Sequence, residues 1–237
     1  MLKDNVAEFG RDVAQNGGYR YTTNAPYSAQ VANRRLTEVT LAYLDPRKDL
    51  KILDVGCGDG TYTAELSYHY PHSVWGVDPS QEAILLAREK HGRYAQFLID
   101  DATDLAHWNP SFFDVAVVRG VLHHTANPPA VLRSLAHVAR KVLVLEPNGN
   151  NPVLKAIEKL SPYHRAHEER SFRPREIERW CAAAGFEVER TSYAGFVPFF
   201  CPAPIAMALH AAQGMLEKTP VIREVFSAVS VISARRR

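Results

Sequence analysis

The feature that most constrains this fold is an alternation, from about residue 51 onward, of short apolar runs with longer segments of helical periodicity. Each run is rich in β-branched residues and almost continuously apolar, as expected of a strand that is covered on both faces. The alternation therefore predicts βαβ units and an α/β domain with a mostly parallel sheet. The five predicted strands are 51–55, 73–77, 95–99, 114–118 and 141–145.

Helical patterns lie between and around these strands. An amphipathic helix is predicted at 28–44, ahead of the sheet, because its apolar residues recur at helical spacing. The helix near 173–181 has a proline in its first turn and a glycine after its end. Two further strands are predicted at 186–192 and 228–234. The other predicted helices are 60–70, 81–90, 130–140 and 153–160.

Composition limits the classes of protein to which the chain can belong. Of its 237 residues, 46% are hydrophobic and 23% are charged, the balance of an ordinary globular protein. The formal net charge is +2 and the basic residues are scattered, so no nucleic-acid partner is expected. The three cysteines have neither zinc-site nor disulfide-framework spacing, and residues 1–16 lack the apolar core of a signal peptide. These features favour a cytoplasmic protein without a metal site.

Residues 191–216 contain no Asp, Glu, Lys or Arg and are rich in Phe, Ala and Pro. Three prolines break the first half of this neutral stretch, and the helix that could follow is shorter than the roughly 20 residues that a bilayer requires. We therefore predict a hydrophobic lid, a pocket wall or a subunit interface, which leaves a homodimer open. Peripheral membrane contact is an alternative that we do not favour.

The strongest local motif is Asp54-Val55-Gly56-Cys57-Gly58-Asp59-Gly60, at the junction of the first strand and its helix. Glycines let the backbone turn sharply and approach a ligand closely, and a helix N-terminus presents free N–H groups. Thr61 stands where a dinucleotide-binding fingerprint has its third glycine. Asp54 would repel a pyrophosphate but attract the ammonium group of an amino acid tail.

Two more carboxylates follow neighbouring strands. Asp78 ends the second predicted strand, about 24 residues beyond Asp54, as expected of a side chain that accepts hydrogen bonds from ribose hydroxyls. Asp101 falls just after the third strand, where it could accept a hydrogen bond from an adenine amino group. Carboxyl ends of parallel strands meet at one edge of a sheet, so the three carboxylates and the glycine loop together predict an adenosyl ligand.

With these motifs the sequence resembles the class I S-adenosylmethionine-dependent methyltransferases. The closest likeness is to the small-molecule group, whose fourth strand leads into a Leu-His-His segment, here Leu122-His123-His124. The resemblance covers about residues 50–146 with specific motifs. It implies a Rossmann-like, seven-stranded, mostly parallel sheet with helices on both faces, in which the last strand lies antiparallel beside the fifth.

The resemblance also implies roles for individual residues toward the methyl donor, S-adenosyl-L-methionine. The glycine loop would line the methionine part, and the ends of the second and third strands would line the ribose and adenine. Arg119 and Gly120 would lie beneath the sulfonium. Independently of the resemblance, the glycine and aromatic residues of 17–23 predict a mobile flap that would add one aromatic contact, with a plain disordered arm as the alternative. The predicted cofactor-binding residues are Tyr21, Asp54, Gly56, Cys57, Gly58, Asp78, Pro79, Asp101, Ala102, Arg119 and Gly120.

Three histidines are candidates for the acceptor side. His123 or His124 could act as a general base, because imidazole titrates near neutral pH and the segment follows the fourth strand. The alternative for each is a histidine that caps a turn or packs beneath the cofactor. His164 lies in a polar segment after the fifth strand, and a charged surface helix is the alternative there. No Cys or Asp partner at suitable spacing completes a metal site with it.

The predicted domain organisation is an N-terminal flap over residues 1–27 and a single methyltransferase domain over 28–237, with cap insertions at about 147–172 and 195–226. The predicted function is methyl transfer from S-adenosyl-L-methionine to O, C or N of a small, partly hydrophobic acceptor molecule. Two alternatives stay open at this point. They are an NAD-dependent oxidoreductase on a Rossmann fold and a non-catalytic protein that binds S-adenosylmethionine.

Overall fold

A computed structural model describes residues 25–160, 170–199 and 201–237, together with Val13, Gly17, Gly18 and Thr22. Its centre is one seven-stranded sheet with the strand order β3-β2-β1-β4-β5-β7-β6. The strands are β1 (Ile52–Val55), β2 (Val74–Asp78), β3 (Gln96–Ile99), β4 (Val115–Arg119), β5 (Lys141–Pro147), β6 (Phe186–Ala194) and β7 (Val229–Arg236).

Helices cover both faces of this sheet. A single 3-10 turn, Leu122–His124, follows β4. The α-helices are α1 (Tyr27–Tyr43), α2 (Thr61–His69), α3 (Gln81–His91), α4 (Pro128–Val138), α5 (Pro152–Leu160), α6 (Pro174–Ala183), α7 (Ala203–Leu216) and α8 (Pro220–Phe226).

The strand pairing confirms the predicted fold class. The five strands from β3 to β5 run parallel in the sheet, and β7 inserts antiparallel between β5 and β6. Among the strands that continue past their predicted ends, β2 reaches Asp78, which pairs with Ile99, and β4 reaches Arg119, which pairs with Leu145. Both side chains therefore project from paired backbone rather than from a loop, which fixes their direction.

One helix begins earlier than the sequence pattern predicts. We expected its start at residue 130, but α4 begins at Pro128, directly after Asn127. The Asn127 side chain accepts a hydrogen bond from the backbone N–H of Ala130, and proline fits the first helical turn, where no intrahelical N–H bond is made. This capped start of α4 marks the end of the segment after β4 that carries His123 and His124.

The core forms two layers, one on each side of the sheet. On one side, alternate strand residues such as Leu53 and Val118 pack against α4 and α6. On the other side, residues such as Ile52 and Val117 pack against α1, α2 and α3. Because successive residues of a strand face opposite layers, the position of a residue in its strand decides which helices its side chain meets.

The neutral stretch of residues 191–216 forms the end of β6, a loop and α7. Ala206 of α7 is buried against Val31 of α1 and Val197. Three larger side chains of α7 are exposed, namely Ile205, Met207 and Met215. Over the ranges that the structure covers, no helix combines the length and apolarity that crossing a bilayer requires.

Candidate functional site

The loop from β1 to α2 turns tightly at two glycines. Gly56 has a φ of +67°, and a Cβ added there would lie 2.6 Å from a methyl group of Val121. Gly60 caps α2 with a φ of +78°, and an added Cβ would lie 2.7 Å from the ring of Phe97. Any side chain at these positions would be both strained and obstructed. The glycines thus let the loop lie directly on the sheet edge.

Asp78 holds this loop from the neighbouring strand. One carboxylate oxygen accepts a hydrogen bond from the backbone N–H of Gly58 at 3.0 Å, and the other accepts one from the N–H of Ser80 at 2.9 Å. The side chain is almost fully buried, and this burial raises its pKa above the ordinary range of an aspartate. The loop and the carboxylate therefore form one rigid edge.

Asp54 is the second buried carboxylate of the site. It accepts a hydrogen bond from the hydroxyl of Thr63 in α2 at 2.6 Å. Burial raises the pKa of Asp54 to about 6, while the hydrogen bond from Thr63 and the positive charge of Arg119 act in the opposite direction. The pKa of Asp54 thus lies about one unit below neutral pH, and an ammonium group nearby would stabilise the charged carboxylate.

Asp101 lies at the same edge but is exposed. Its carboxylate accepts hydrogen bonds from the backbone N–H and the hydroxyl of Thr103, both at 2.8 Å, and so closes a local turn. The preceding Asp100 is held more firmly, by the indole N–H of Trp108 at 2.9 Å and by His107 at 3.0 Å. Sequence reasoning singled out only Asp101, because the contacts of Asp100 depend on how the loop folds back.

Three further predicted residues lie on this edge. Cys57 is buried in the glycine loop, and burial together with the nearby carboxylates raises the pKa of its thiol. Pro79 is exposed just after β2, and Ala102 is half-buried after β3. The register of β1, β2 and β3 therefore brings the glycine loop and the carboxylates at these strand ends to one edge of the sheet, and their contact with the donor stays a prediction.

Arg119 projects from the end of β4 toward α1 and α2, and its predicted place beneath the sulfonium stays a prediction. Its guanidinium donates hydrogen bonds to the backbone carbonyl of Asn33 and to the hydroxyl of Thr37, both in α1. It also lies 3.7 Å from the ring centroid of Tyr62 in α2. The next residue, Gly120, has a φ of +68° and turns the chain toward the histidine segment. Arg119 is therefore an anchor between β4, α1 and α2.

A histidine and a glutamate form the centre of the acceptor side. Nδ1 of His123 lies 2.7 Å from Oε2 of Glu146, the end of β5, whose side chain is fully buried. The same carboxylate accepts hydrogen bonds from the backbone N–H groups of Val121 and Leu122, each at 2.7 Å. A carboxylate that already accepts two backbone N–H groups suits a ring tautomer with the proton on Nδ1, which leaves Nε2 as the basic nitrogen.

His124 packs against the ring of its neighbour. The two ring centroids of His123 and His124 are 3.9 Å apart, with an angle of 43° between the planes. The structure thus separates the two candidates, because only His123 has the glutamate as a direct partner. No local signal in the sequence joins Glu146 to His123, because the two residues stand 23 positions apart.

Two other predicted site residues, Tyr21 and His164, lie outside the described residues, and their roles stay predictions. A neighbour of the first, Thr22, donates a hydrogen bond from its hydroxyl to Asp59 of the glycine loop at 2.7 Å. Among the residues that the structure describes, no cluster of His, Cys, Asp and Glu side chains is suited to a metal ion.

The edge has the hydrogen-bond acceptors that the ammonium group and the ribose hydroxyls of an adenosyl amino acid require. Buried carboxylates can receive an ammonium group and a diol, and the glycine loop leaves space where a Cβ would otherwise stand. A pyrophosphate would instead face the buried charges of Asp54 and Asp78. The residues present therefore fit S-adenosylmethionine better than a dinucleotide.

Comparisons with known proteins agree with this geometry. Residues 27–191 match the family described as "Methyltransferase domain". An O-methyltransferase, cnsE, from Penicillium expansum is 34% identical over 52% of this chain, and the match spans 46% of its own length, about half of that relative. The ubiquinone biosynthesis O-methyltransferase of Xanthomonas euvesicatoria pv. vesicatoria is 27% identical over 66% of this chain and 72% of its own.

Solved structures share the fold. A methyltransferase from Thermotoga maritima that depends on S-adenosylmethionine superimposes with a TM-score of 0.71, over 97% of this chain and 98% of its own. The two sequences are only 16% identical, so this likeness concerns the fold alone. This chain thus combines the strand order of that fold, a glycine loop and acidic strand ends with a sequence match to the methyltransferase domain family.

Proposed function

The chain belongs to the methyltransferase domain family and is an S-adenosylmethionine-dependent methyltransferase, and from that premise we propose that it methylates a hydroxyl oxygen of a small molecule with His123 as general base. The observation that carries the proposal is the 2.7 Å contact between Nδ1 of His123 and the buried carboxylate of Glu146. A histidine oriented in this way by a carboxylate is the arrangement that proton abstraction requires.

On the donor side, the residues of the glycine edge have separate tasks. Asp54 receives the ammonium group of the methionine part, and Asp78 accepts hydrogen bonds from the ribose hydroxyls while it holds Gly58. Asp101, with Ala102, would accept a hydrogen bond from the adenine amino group. Burial makes the first two interactions stronger than they would be in water, since a low local dielectric strengthens charge-assisted hydrogen bonds.

When bound, the donor supplies a methyl group on a sulfonium that leaves as a neutral thioether. The chain's own residues have to align the acceptor oxygen with that methyl group, exclude water and take one proton. Nε2 of His123 takes the hydroxyl proton as the oxygen–carbon bond forms. The carboxylate of Glu146 then stabilises the imidazolium, and it needs no movement to do so because backbone N–H groups hold it.

Transfer to oxygen is supported by the relatives, since both curated relatives named above are O-methyltransferases. The comparisons do not support the two alternatives, a nicotinamide-dependent oxidoreductase and a non-catalytic binding protein. We further propose that the acceptor is partly hydrophobic, because the cap of α7 and α8 exposes apolar side chains. We also propose a homodimer contact on this surface and a cytoplasmic location.

The test uses methyl-labelled S-adenosylmethionine and a panel of small acceptors. The panel contains phenols, catechols and aliphatic alcohols with and without an apolar tail, and matched amines and thiols. We expect label in the hydroxyl compounds, identified by mass spectrometry, and larger kcat/KM for those with an apolar tail. Label in the amines or in carbon alone, with none on oxygen, would contradict the proposal.

A further inference from the structure

Arg119 is a partly buried positive charge on the donor side of the sheet. Its guanidinium lies over the ring of Tyr62 at 3.7 Å and donates to Thr37 Oγ1 at 3.1 Å and to the carbonyl of Asn33 at 3.0 Å. All three partners are uncharged. A partly buried guanidinium without a carboxylate in its hydrogen-bond shell relies on charges further away. Among these are Glu65, which accepts a hydrogen bond from the hydroxyl of Thr37, and Asp54, which lies on the same face of the sheet.

The register of the sheet places Asp54 on that face. Asp54 pairs with Val117 across the parallel strands β1 and β4. Arg119 follows Val117 by two residues in the same strand, and residues two apart point to the same side. Both side chains thus face the layer of α1 and α2, where Asp54 is bonded to Thr63.

The charges around this pair are few. Asp54 senses the negative charge of Asp78 from β2 and the positive charge of Arg119 from β4, and α2 contributes the neutral hydroxyl of Thr63. Arg119 in turn senses Glu65 and the phenol of Tyr62, both from α2. Burial raises the pKa of Asp54, and the charge of Arg119 lowers it. Arg119 is the positive charge that opposes both burial and Asp78.

We infer that Arg119 is a positioning residue for the methyl donor, which keeps the carboxylate of Asp54 ionised so that it can receive the ammonium group. This inference rests on the proposed function of Asp54. It assigns Arg119 a task different from contact with the sulfonium, since the guanidinium acts through another side chain. The hydrogen bonds to α1 hold the charge in place, which explains why an arginine with several donors stands there.

The experiment measures the affinity for S-adenosylhomocysteine by isothermal titration between pH 5 and 8.5. For the wild-type protein we expect binding to weaken as the pH falls through about 6, where Asp54 takes up a proton. In R119Q the midpoint should move upward by at least about one pH unit. Relative to the wild type, the affinity of R119Q should then be about fivefold lower at pH 6, about twofold lower at pH 7 and nearly equal at pH 8.5.

R119K is the matched control, because it keeps the charge and loses the planar donor group. It should keep the wild-type midpoint even where its affinity is lower at every pH. R119M, whose apolar chain can still lie on Tyr62, provides a second neutral variant should R119Q be insoluble. An unchanged midpoint in a neutral variant overturns the inference, because a merely structural anchor would lower affinity equally at all pH values.

The variant D54N separates this inference from the proposed function. If the wild type does not bind S-adenosylhomocysteine, or if D54N binds it as tightly and with the same pH dependence, the assignment of Asp54 itself is wrong. If D54N binds weakly and without pH dependence while R119Q behaves as the wild type does, only the role of Arg119 is wrong. A shifted midpoint in R119Q together with a flat profile in D54N supports both.

Discussion

The donor edge and the acceptor side of this protein are held together over very different distances along the chain. On the donor edge, Asp54 contacts Thr63 nine positions later, and Gly58 contacts Asp78 twenty positions later. On the acceptor side, the side chain of Asn148 bonds the carbonyl of Ser227, and Arg35 of α1 bonds Glu217 beyond α7. The donor edge is thus built from the consecutive strands β1, β2 and β3, whereas the acceptor side, beyond the contact of His123 with Glu146, depends on contacts across the whole domain.

This difference corresponds to the binding of two different ligands, the methyl donor and the acceptor. A site for a constant ligand can be fixed by backbone geometry and a few buried carboxylates close in sequence. A site for a particular acceptor needs a wall, and here the wall consists of late elements that pack on α1 and on the end of β5. Variants on the donor edge should therefore leave the binding of the acceptor unchanged, and variants on the acceptor side should leave the binding of the donor unchanged.

The largest effect is expected for H123A. Loss of the general base should lower kcat by about 10² to 10⁴ with any hydroxyl acceptor found in the panel. The dissociation constant for S-adenosylhomocysteine should stay unchanged, because His123 lies on the acceptor side. Discontinuous activity assays measure kcat, and titration calorimetry measures the dissociation constant. H69A, at an exposed position of α2, is the control and should behave as the wild type does. Full activity of H123A would show that the two sides are not divided in this way.

The second prediction concerns the stability of D54N without donor. The pKa of Asp54 is raised from 3.8 to about 6 in the folded protein, so the unfolded chain loses this proton at a lower pH than the folded one. The contribution of Asp54 to the free energy of unfolding is therefore highest below about pH 4, falls as the pH rises toward 6 and stays low above it. The loss is on the order of 3 kcal/mol.

D54N should accordingly unfold at higher urea concentration than the wild type at pH 7, and at a similar one at pH 4. The exposed D49N variant is the control and should change the free energy of unfolding at either pH by less than about 0.5 kcal/mol. A D54N variant that is less stable at pH 7 would show that Asp54 has a stabilising partner in the folded state that offsets its burial.

The third prediction compares two carboxylates of the donor edge. D78N should weaken the binding of S-adenosylhomocysteine by about 10- to 100-fold, since a buried charge-assisted contact contributes about 1.5–3 kcal/mol. D101N should change it by less than about threefold, because Asp101 is exposed. Titration calorimetry at pH 8 measures both variants. Equal losses in the two variants would mean that burial does not set the strength of these contacts.

The smallest effect is expected for N148A. The buried amide of Asn148 donates to the carbonyls of Glu224 and Ser227, which tie the end of α8 to the loop after β5. Its removal takes this donor from both carbonyls, of which that of Ser227 keeps a second donor in the amide of Asn151, and should lower the free energy of unfolding by about 1 kcal/mol. The KM for the acceptor should rise, and the dissociation constant for S-adenosylhomocysteine should not. N109A, at an exposed loop position, is the control. Weakened donor binding in N148A would contradict the proposed separation.

Much of the donor edge was predictable from the sequence because its signals are local. A run of apolar residues fixes a strand, the glycines fix the loop, and a parallel sheet brings the ends of β1, β2 and β3 to one edge. The direction of Arg119 was not predictable in this way. The residue ends β4 as expected, but its partners Asn33 and Thr37 lie in a helix far upstream, and only the packing of α1 brings them within reach.

The sequence by itself determined the α/β class, the glycine loop and the three acidic strand ends, because each depends on residues that are neighbours in the chain or in one repeating unit. Tertiary structure alone decided which histidine meets Glu146, how firmly Asp54 is enclosed and what surrounds Arg119. The physical reason is that orientation, burial and charge environment arise from contacts between distant segments. Such contacts leave no periodic or short-range pattern in the order of the amino acids.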